Sequence, residues 1–147
     1  MAPKNTMDQT ALRGLLKSHG MRSTAQRLAV LSVLWKAQSP MTHEDVMGVL
    51  PSGMYDKAAV WRVLSDLTNV GILRRMDLGD RVWRYELQDD RHAMTNGHPH
   101  FLCESCGAVT CLPPLQLQTL DGHLPKALTG AKFHIRVSGN CRQCIEA

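Results

Sequence analysis

The stretch His98-Pro-His-Phe-Leu-Cys-Glu-Ser-Cys106 holds two imidazoles and two thiols, and Cys141-Arg-Gln-Cys144 answers it near the end of the chain. Two Cys-x-x-Cys pairs supply four thiolates, the number a tetrahedral structural zinc takes. Each pair fits a tight turn that aims both sulfurs at one point. The separation between Cys106 and Cys141 is longer than the usual ribbon spacing, so intervening strands or a helix must fold back to join the pairs. His98 and His100 form His-x-His, which on a strand puts both imidazoles on one face. A closed four-sulfur site beside a separate nitrogen site implies two metals with two jobs.

At 147 residues the chain suits one domain or two small ones. A charged fraction of 20% and a hydrophobic fraction of 44% describe an ordinary soluble, folded protein. The net charge of +4 is unevenly placed. Up to Leu87 there are 12 Lys/Arg against 8 Asp/Glu, and from Gln88 onward 5 against 5. The positive excess therefore belongs to the N-terminal half and points to an anionic partner there, against the plainer alternative of a solvated basic face. No apolar run approaches a membrane span, and Met1-Ala-Pro-Lys-Asn5 lacks a signal-peptide core. A cytoplasmic location with no membrane partner is the default. Thiols stay reduced there, and paired Cys-x-x-Cys then reads as metal binding rather than as disulfides. No βαβ pattern surrounds either motif to favour a thioredoxin-like redox pair.

The elements that must position these groups begin with a helix around Met7–Ser18, stopped by His19-Gly20. Ser23 or Thr24 caps a second helix with the apolar stripe Leu28, Leu31, Leu34 and Trp35. Thr42 caps a third, with Glu44 and Asp45 in its first turn and Val46, Val49 and Leu50 as its core face. A fourth helix is predicted over about Asp56–Asn69. Val60, Val63, Leu64, Leu67 and Val70 fall on one side of it; Ala58, Trp61, Arg62 and Ser65 fall on the other. A tryptophan on the non-core face reads as a DNA recognition helix, where the ring can touch a thymine methyl and Arg62 a phosphate or guanine edge. The alternative is a Trp partly buried against a neighbouring element. Ile72–Asp77 and Arg81–Leu87 flank Leu78-Gly79-Asp80 as a β-hairpin, made basic by Arg74, Arg75, Arg81 and Arg84. The hairpin can lie over a phosphate backbone or a minor groove.

The expected class is α+β: a winged helix-turn-helix DNA-binding domain over 1–88, a polar hinge over 89–97, and a small α/β zinc-stapled dimerisation domain over 98–147. In the last of these, strands are predicted at Phe101–Leu102, Ala108–Cys111 and Lys132–Val137. A helical segment carrying Leu115, Leu117, Leu120, Leu124 and Leu128 is predicted between the second and third, interrupted at Gly122 and Pro125. Its small size makes a metal staple physically sensible.

The order winged helix, hinge, His-x-His, Cys-x-x-Cys, Cys-x-x-Cys resembles the ferric uptake regulator superfamily of metal-sensing bacterial repressors, over nearly the whole chain. Arg22-Ser-Thr-Ala-Gln-Arg27 is similar to the family's Arg/Lys-x-Thr-x-x-Arg motif, Ala59-Val-Trp-Arg-Val-Leu64 to its Thr-Val-Tyr-Arg-x-Leu recognition helix, and His98 to Gly107 to its His-x-His-x-x-Cys-x-x-Cys-Gly signature. The resemblance implies a homodimer on a palindromic operator in double-stranded DNA. It implies a structural Zn²⁺ on Cys103, Cys106, Cys141 and Cys144, and a regulatory Zn²⁺ or Fe²⁺/Mn²⁺ on Glu86, His98 and His100. DNA contacts are implied at Arg22, Trp61 and Arg62, with Ala58 and Ser65 on the same helix face.

Two departures bear on the metal. Pro40 stands where iron- and peroxide-sensing members place a histidine, with His43 a possible substitute. Cys111 stands where peroxide-sensing relatives often carry an aspartate; a soft thiolate leans towards zinc, against the equally weighted alternative of a small apolar residue on a strand. His123 and His134 are further metal candidates, although His134 falls one residue short of the usual family position. A zinc-responsive (Zur-like) repressor is the reading preferred, with iron-responsive and peroxide- or manganese-responsive repressors as alternatives. No nucleophile–base constellation argues for an enzyme, and no catalytic residue is assigned. A zinc-binding metallochaperone would not need Arg22, Trp61, Arg62 or a basic wing.

Overall fold

A computed structural model of the chain describes residues 9–88, 99–113, 115, 118–131 and 135–147. It divides into two compact units, Met1–Arg91 and His92–Ala147. The expected start of the first helix at Met7, the hinge over 89–97, His98, Leu117 and residues 132–134 lie outside the described residues.

The first unit opens with α1 (Gln9–Ser18), whose Leu12 and Leu16 are buried. Gly20 ends it with a left-handed residue (φ 71°); the N–H groups of Gly20 and Met21 donate to the carbonyls of Lys17 and Leu16. Next comes α2 (Ala25–Lys36), capped by Thr24, whose hydroxyl accepts from the Arg27 N–H. β1 (Met41–Thr42) leads directly into α3 (His43–Val49). Thr42 and Asp45 cap one another there: each side chain accepts the other's backbone N–H. α4 (Lys57–Asn69) is capped by Asp56 and closed by Gly71 (φ 82°), with the buried Ile72 packed just beyond. β2 (Leu73–Asp77) and β3 (Trp83–Leu87) form the antiparallel hairpin.

The sheet order is β1-β3-β2, with Met41 opposite Tyr85 and Leu73 opposite Leu87. One hairpin face sends Leu73, Tyr85 and Leu87 into a core built from Leu16, Leu31, Val46, Val60, Leu64 and Leu67. The architecture is the winged helix-turn-helix expected, with corrections in detail. Val49, placed in the core by its spacing, is 63% exposed, because it occupies the last turn of a seven-residue helix. Val70 is also exposed, at the C-cap of α4 where the chain leaves the helical path. Val30 is fully buried, so α2 has apolar neighbours on more than the stripe its leucines define. β1 was not anticipated; at two residues it is too short to leave a periodic pattern.

In the second unit, β4 (His100–Cys103) is the central strand, antiparallel to β5 (Val109–Cys111) and parallel to β6 (Val137–Gly139). A short helix, α5 (Arg142–Glu146), follows, with Cys141 at its N-cap. The third strand thus begins where the sequence places its end. The leucine-spaced segment is not a helix among its described residues. It contains one 3-10 turn at Lys126–Leu128, and Leu115, Leu120 and Leu124 are exposed. Gly122 takes φ 74°, the Asp121 carboxylate accepts the His123 N–H in a local turn, and Pro125 has no N–H to offer. These breakers outweigh the spacing of the leucines.

Candidate metal centres and nucleic-acid interface

The four cysteines converge. Cys103 ends β4 and Cys106 lies one turn on, where the Gly107 N–H (φ 73°) donates to the Cys103 carbonyl. On the other side, the Cys144 N–H donates to the Cys141 carbonyl as α5 begins. Pairing of β6 with Phe101–Cys103 carries the second knuckle to the first, and Ser105–Asn140 and Ser138–Glu104 hydrogen bonds tie the flanking residues. All four Sγ atoms lie within 4.8 Å of one another, with Cys106 and Cys141 at 3.9 Å. A tetrahedral ion with metal–sulfur bonds of about 2.3 Å needs sulfur–sulfur edges of about 3.8 Å, so the quartet fits zinc.

The electrostatics follow from crowding four thiols. Backbone N–H groups of Cys106 and Cys141 point at the Cys103 sulfur and pull it down to about 6. Cys144 is pushed up to about 12, because hydrogen bonds to Cys141 and Cys106 favour its protonated form and a neighbouring thiolate opposes a second charge. The first thiolate forms readily and the last resists, which is the state a divalent cation resolves.

The structure places the other candidate ligands as follows. His100 opens β4, buried, directly opposite Cys111 on β5, so an imidazole and a thiol share one face of that sheet. Glu86 is buried in β3 opposite Arg74, whose Nη2 donates to its Oε1. His43 does something the sequence reading missed: its Nε2 is 3.0 Å from the Lys57 carbonyl, linking the start of α3 to the start of α4. The exposed His123 sits in the Asp121 turn. Among the described residues, neither His43 nor His123 joins a metal-competent group. His98 and His134 are not described.

The α4 face follows the sequence except at Val70 and Ser65. Val60, Val63, Leu64 and Leu67 are buried, while Ala58, Arg62 and Trp61 (54%) are exposed and Ser65 is half-buried. Arg62 Nε lies 3.4 Å from the Ala58 carbonyl, so its guanidinium runs back along the helix. Exposed Arg22 precedes α2, and Arg27 holds that segment to α4: Nη1 donates to the Arg22 carbonyl and Nη2 pairs with Asp66. Arg27 is the closing residue of the Arg22-x-Thr-x-x-Arg27 motif, and its role is to brace Arg22 against α4. The wing is less basic than its composition. Arg84 is buried in a two-pronged pair with Asp80, which holds that carboxyl below the usual range, and Arg74 is paired with Glu86.

A winged helix followed by a small sheet unit with a convergent cysteine quartet defines a metal-binding protein of the winged-helix class. The sequence profile of the ferric uptake regulator family matches residues 18–135, and the chain belongs to that family. It is 34% identical over 100 residues to the ferric uptake regulation protein of Haemophilus ducreyi, covering 65% of this chain but less than two thirds (64%) of that protein. It is 27% identical over 135 residues to the peroxide operon regulator of Bacillus subtilis, 88% of each chain. The ferric uptake regulator of Helicobacter pylori shares the fold at a TM-score of 0.63, with 19% identity over 94% of this chain and 91% of that one.

Proposed function

We propose that this chain is a metal-dependent, DNA-binding transcriptional repressor of metal-homeostasis genes, acting in the cytoplasm as a homodimer on a palindromic operator. The observation that carries the reading is the exposed face of α4, where Trp61 and Arg62 stand out from a helix whose other side is wholly buried. An indole left half in water costs hydrophobic free energy unless a partner covers it, and Arg22, held to α4 through Arg27, adds charge to the same helix-turn-helix. Arg22, Ala58, Trp61, Arg62 and Ser65 are the residues assigned to DNA.

Cys103, Cys106, Cys141 and Cys144 are assigned to a structural Zn²⁺, which would supply the cross-link that closes this small unit. Glu86, His98 and His100 are assigned to a regulatory metal. Zinc is preferred as effector because the cross-strand neighbour of His100 is a thiol, Cys111, and a nitrogen–sulfur pair suits zinc better than manganese. The match to a peroxide operon regulator over 88% of both chains favours a peroxide-responsive repressor as the second reading.

The test compares wild type with Trp61→Ala, His98→Ala and His100→Ala, measuring metal content and DNA binding on selected sites. Trp61→Ala is expected to keep its metal and to bind DNA more weakly. The histidine variants are expected to keep one zinc per chain and to need more added metal to bind DNA. Metal-independent DNA binding by wild type and both histidine variants alike would overturn the regulatory assignment.

A further inference from the structure

Trp83 is a second exposed indole that the recognition helix leaves unused. It starts β3 at the outer end of the wing, 50% exposed, beside the exposed Val82. The guanidinium of Arg75 lies over its ring, 4.1 Å from Cζ to the centroid. In the hairpin register Arg75 faces Tyr85 and Trp83 faces Asp77, so both belong to the face that sends Leu73, Tyr85 and Leu87 into the core. Beyond the part of that face that the core covers, both side chains are exposed. Arg74 and Arg84 are engaged by Glu86 and Asp80; among the described residues neither Arg75 nor Arg81 has an ion-pair partner.

We propose that Arg75 and Trp83 form a preassembled contact to the minor groove and sugar–phosphate wall of double-stranded DNA, flanking the segment read by α4, and that they set a preference for A·T-rich flanks. The cation–π contact occupies one face of the guanidinium and leaves its in-plane N–H groups to reach acceptors. The minor groove of A·T pairs offers only acceptors, and narrow A-tract grooves concentrate negative potential that draws arginine in. The exposed part of the indole packs on deoxyribose, which accounts for an aromatic where a charge alone would serve phosphate attraction. Stacking also orders the Arg75 side chain before binding, which lowers the entropy lost on contact.

This inference rests on the DNA-binding reading of α4, and the experiment separates the two. The metal-loaded full chain selects sites from a random double-stranded DNA pool, beside Trp83→Ala, Trp83→Phe and Arg75→Gln. Wild type is expected to enrich a central motif with A·T-rich flanks. Trp83→Ala and Arg75→Gln are expected to keep the motif, lose the flank preference and bind the selected site about tenfold more weakly; Trp83→Phe is expected to retain most of both, which separates loss of contact from loss of folding. Replacing flanking A·T by inosine·C, which presents the same minor-groove acceptors, is expected to leave wild-type binding unchanged, whereas G·C weakens it. If wild type enriches nothing, the α4 reading itself fails. If wild type enriches a motif while Trp83→Ala and Arg75→Gln keep its flanks and affinity, the wing inference is overturned and the patch belongs to a protein partner.

Discussion

The two units hold themselves together by different means. In the first, sixteen buried side chains among the described residues, from the four helices, the hairpin and the residues just after α3 and α4, form one core closed by helix caps and glycine stops, and the unit's sequence contains no cysteine. In the second, Leu102 and Cys103 are the buried apolar residues among those described, and the cysteine quartet crosses from β4 to α5. A unit of this size without a large core needs another source of stability, and a metal held by the four converging thiols would provide one. Apolar burial supports the surface assigned to DNA, whereas ligand chemistry supports the sheet that carries His100 and Cys111. Perturbations should therefore act on one unit and spare the other.

The largest expected effect is on the second unit. Cys141→Ser is expected to abolish protection of β4–β6 amides from hydrogen exchange while leaving α2 and α4 protected; equal loss in both units would break the contrast. Next is Leu64→Ala, which removes a fully buried side chain of α4. A loss of about 2–5 kcal/mol is expected in denaturant unfolding of the first unit, with zinc content unchanged. Trp61→Ala exchanges an exposed side chain, so stability should move by less than about 0.5 kcal/mol while DNA affinity falls by about 1–3 kcal/mol.

The smaller effects concern local devices of the first unit. Thr42→Ala removes the cap of α3 and is expected to cost about 1 kcal/mol in the same unfolding measurement. Asp80 has a lowered pKa because Arg84 holds its charged form. Its contribution is thus present above the ordinary aspartate value of about 3.9 and is lost as pH falls through the lower folded value. Acid unfolding of Asp80→Asn should show a shallower loss of stability below about pH 4 than wild type; identical profiles would remove the Arg84–Asp80 pair from the wing's stability.

Much of this was legible in the residues. Helix starts at Thr42 and Asp56 and stops at Gly20 and Gly71 are local chemistry and appear as read, while of the two caps open for α2, Ser23 and Thr24, the helix takes Thr24. The cysteine quartet was legible because Cys-x-x-Cys spacing is itself the geometry of a metal knuckle. What escaped depends on partners distant in sequence. β1 is defined by pairing with Tyr85 and Arg84 across the sheet. The wing's charge could not be judged without the register that sets Arg74 against Glu86 and the turn that brings Asp80 to Arg84. The place of the His43 ring beside the Lys57 carbonyl likewise depends on a partner fourteen residues away. The leucines at 115–128 keep a helical spacing, but Gly122 and Pro125 do more than interrupt a helix: among the described residues only a 3-10 turn at Lys126–Leu128 remains.

The most direct test of the two-metal reading is a single sample assayed for zinc content and DNA binding before and after mild chelation, then with zinc, iron and manganese returned in turn. Retention of one zinc per chain after chelation, with DNA binding lost and then restored at the lowest concentration by zinc, is the result expected. Undiminished DNA binding by the chelated protein would contradict it.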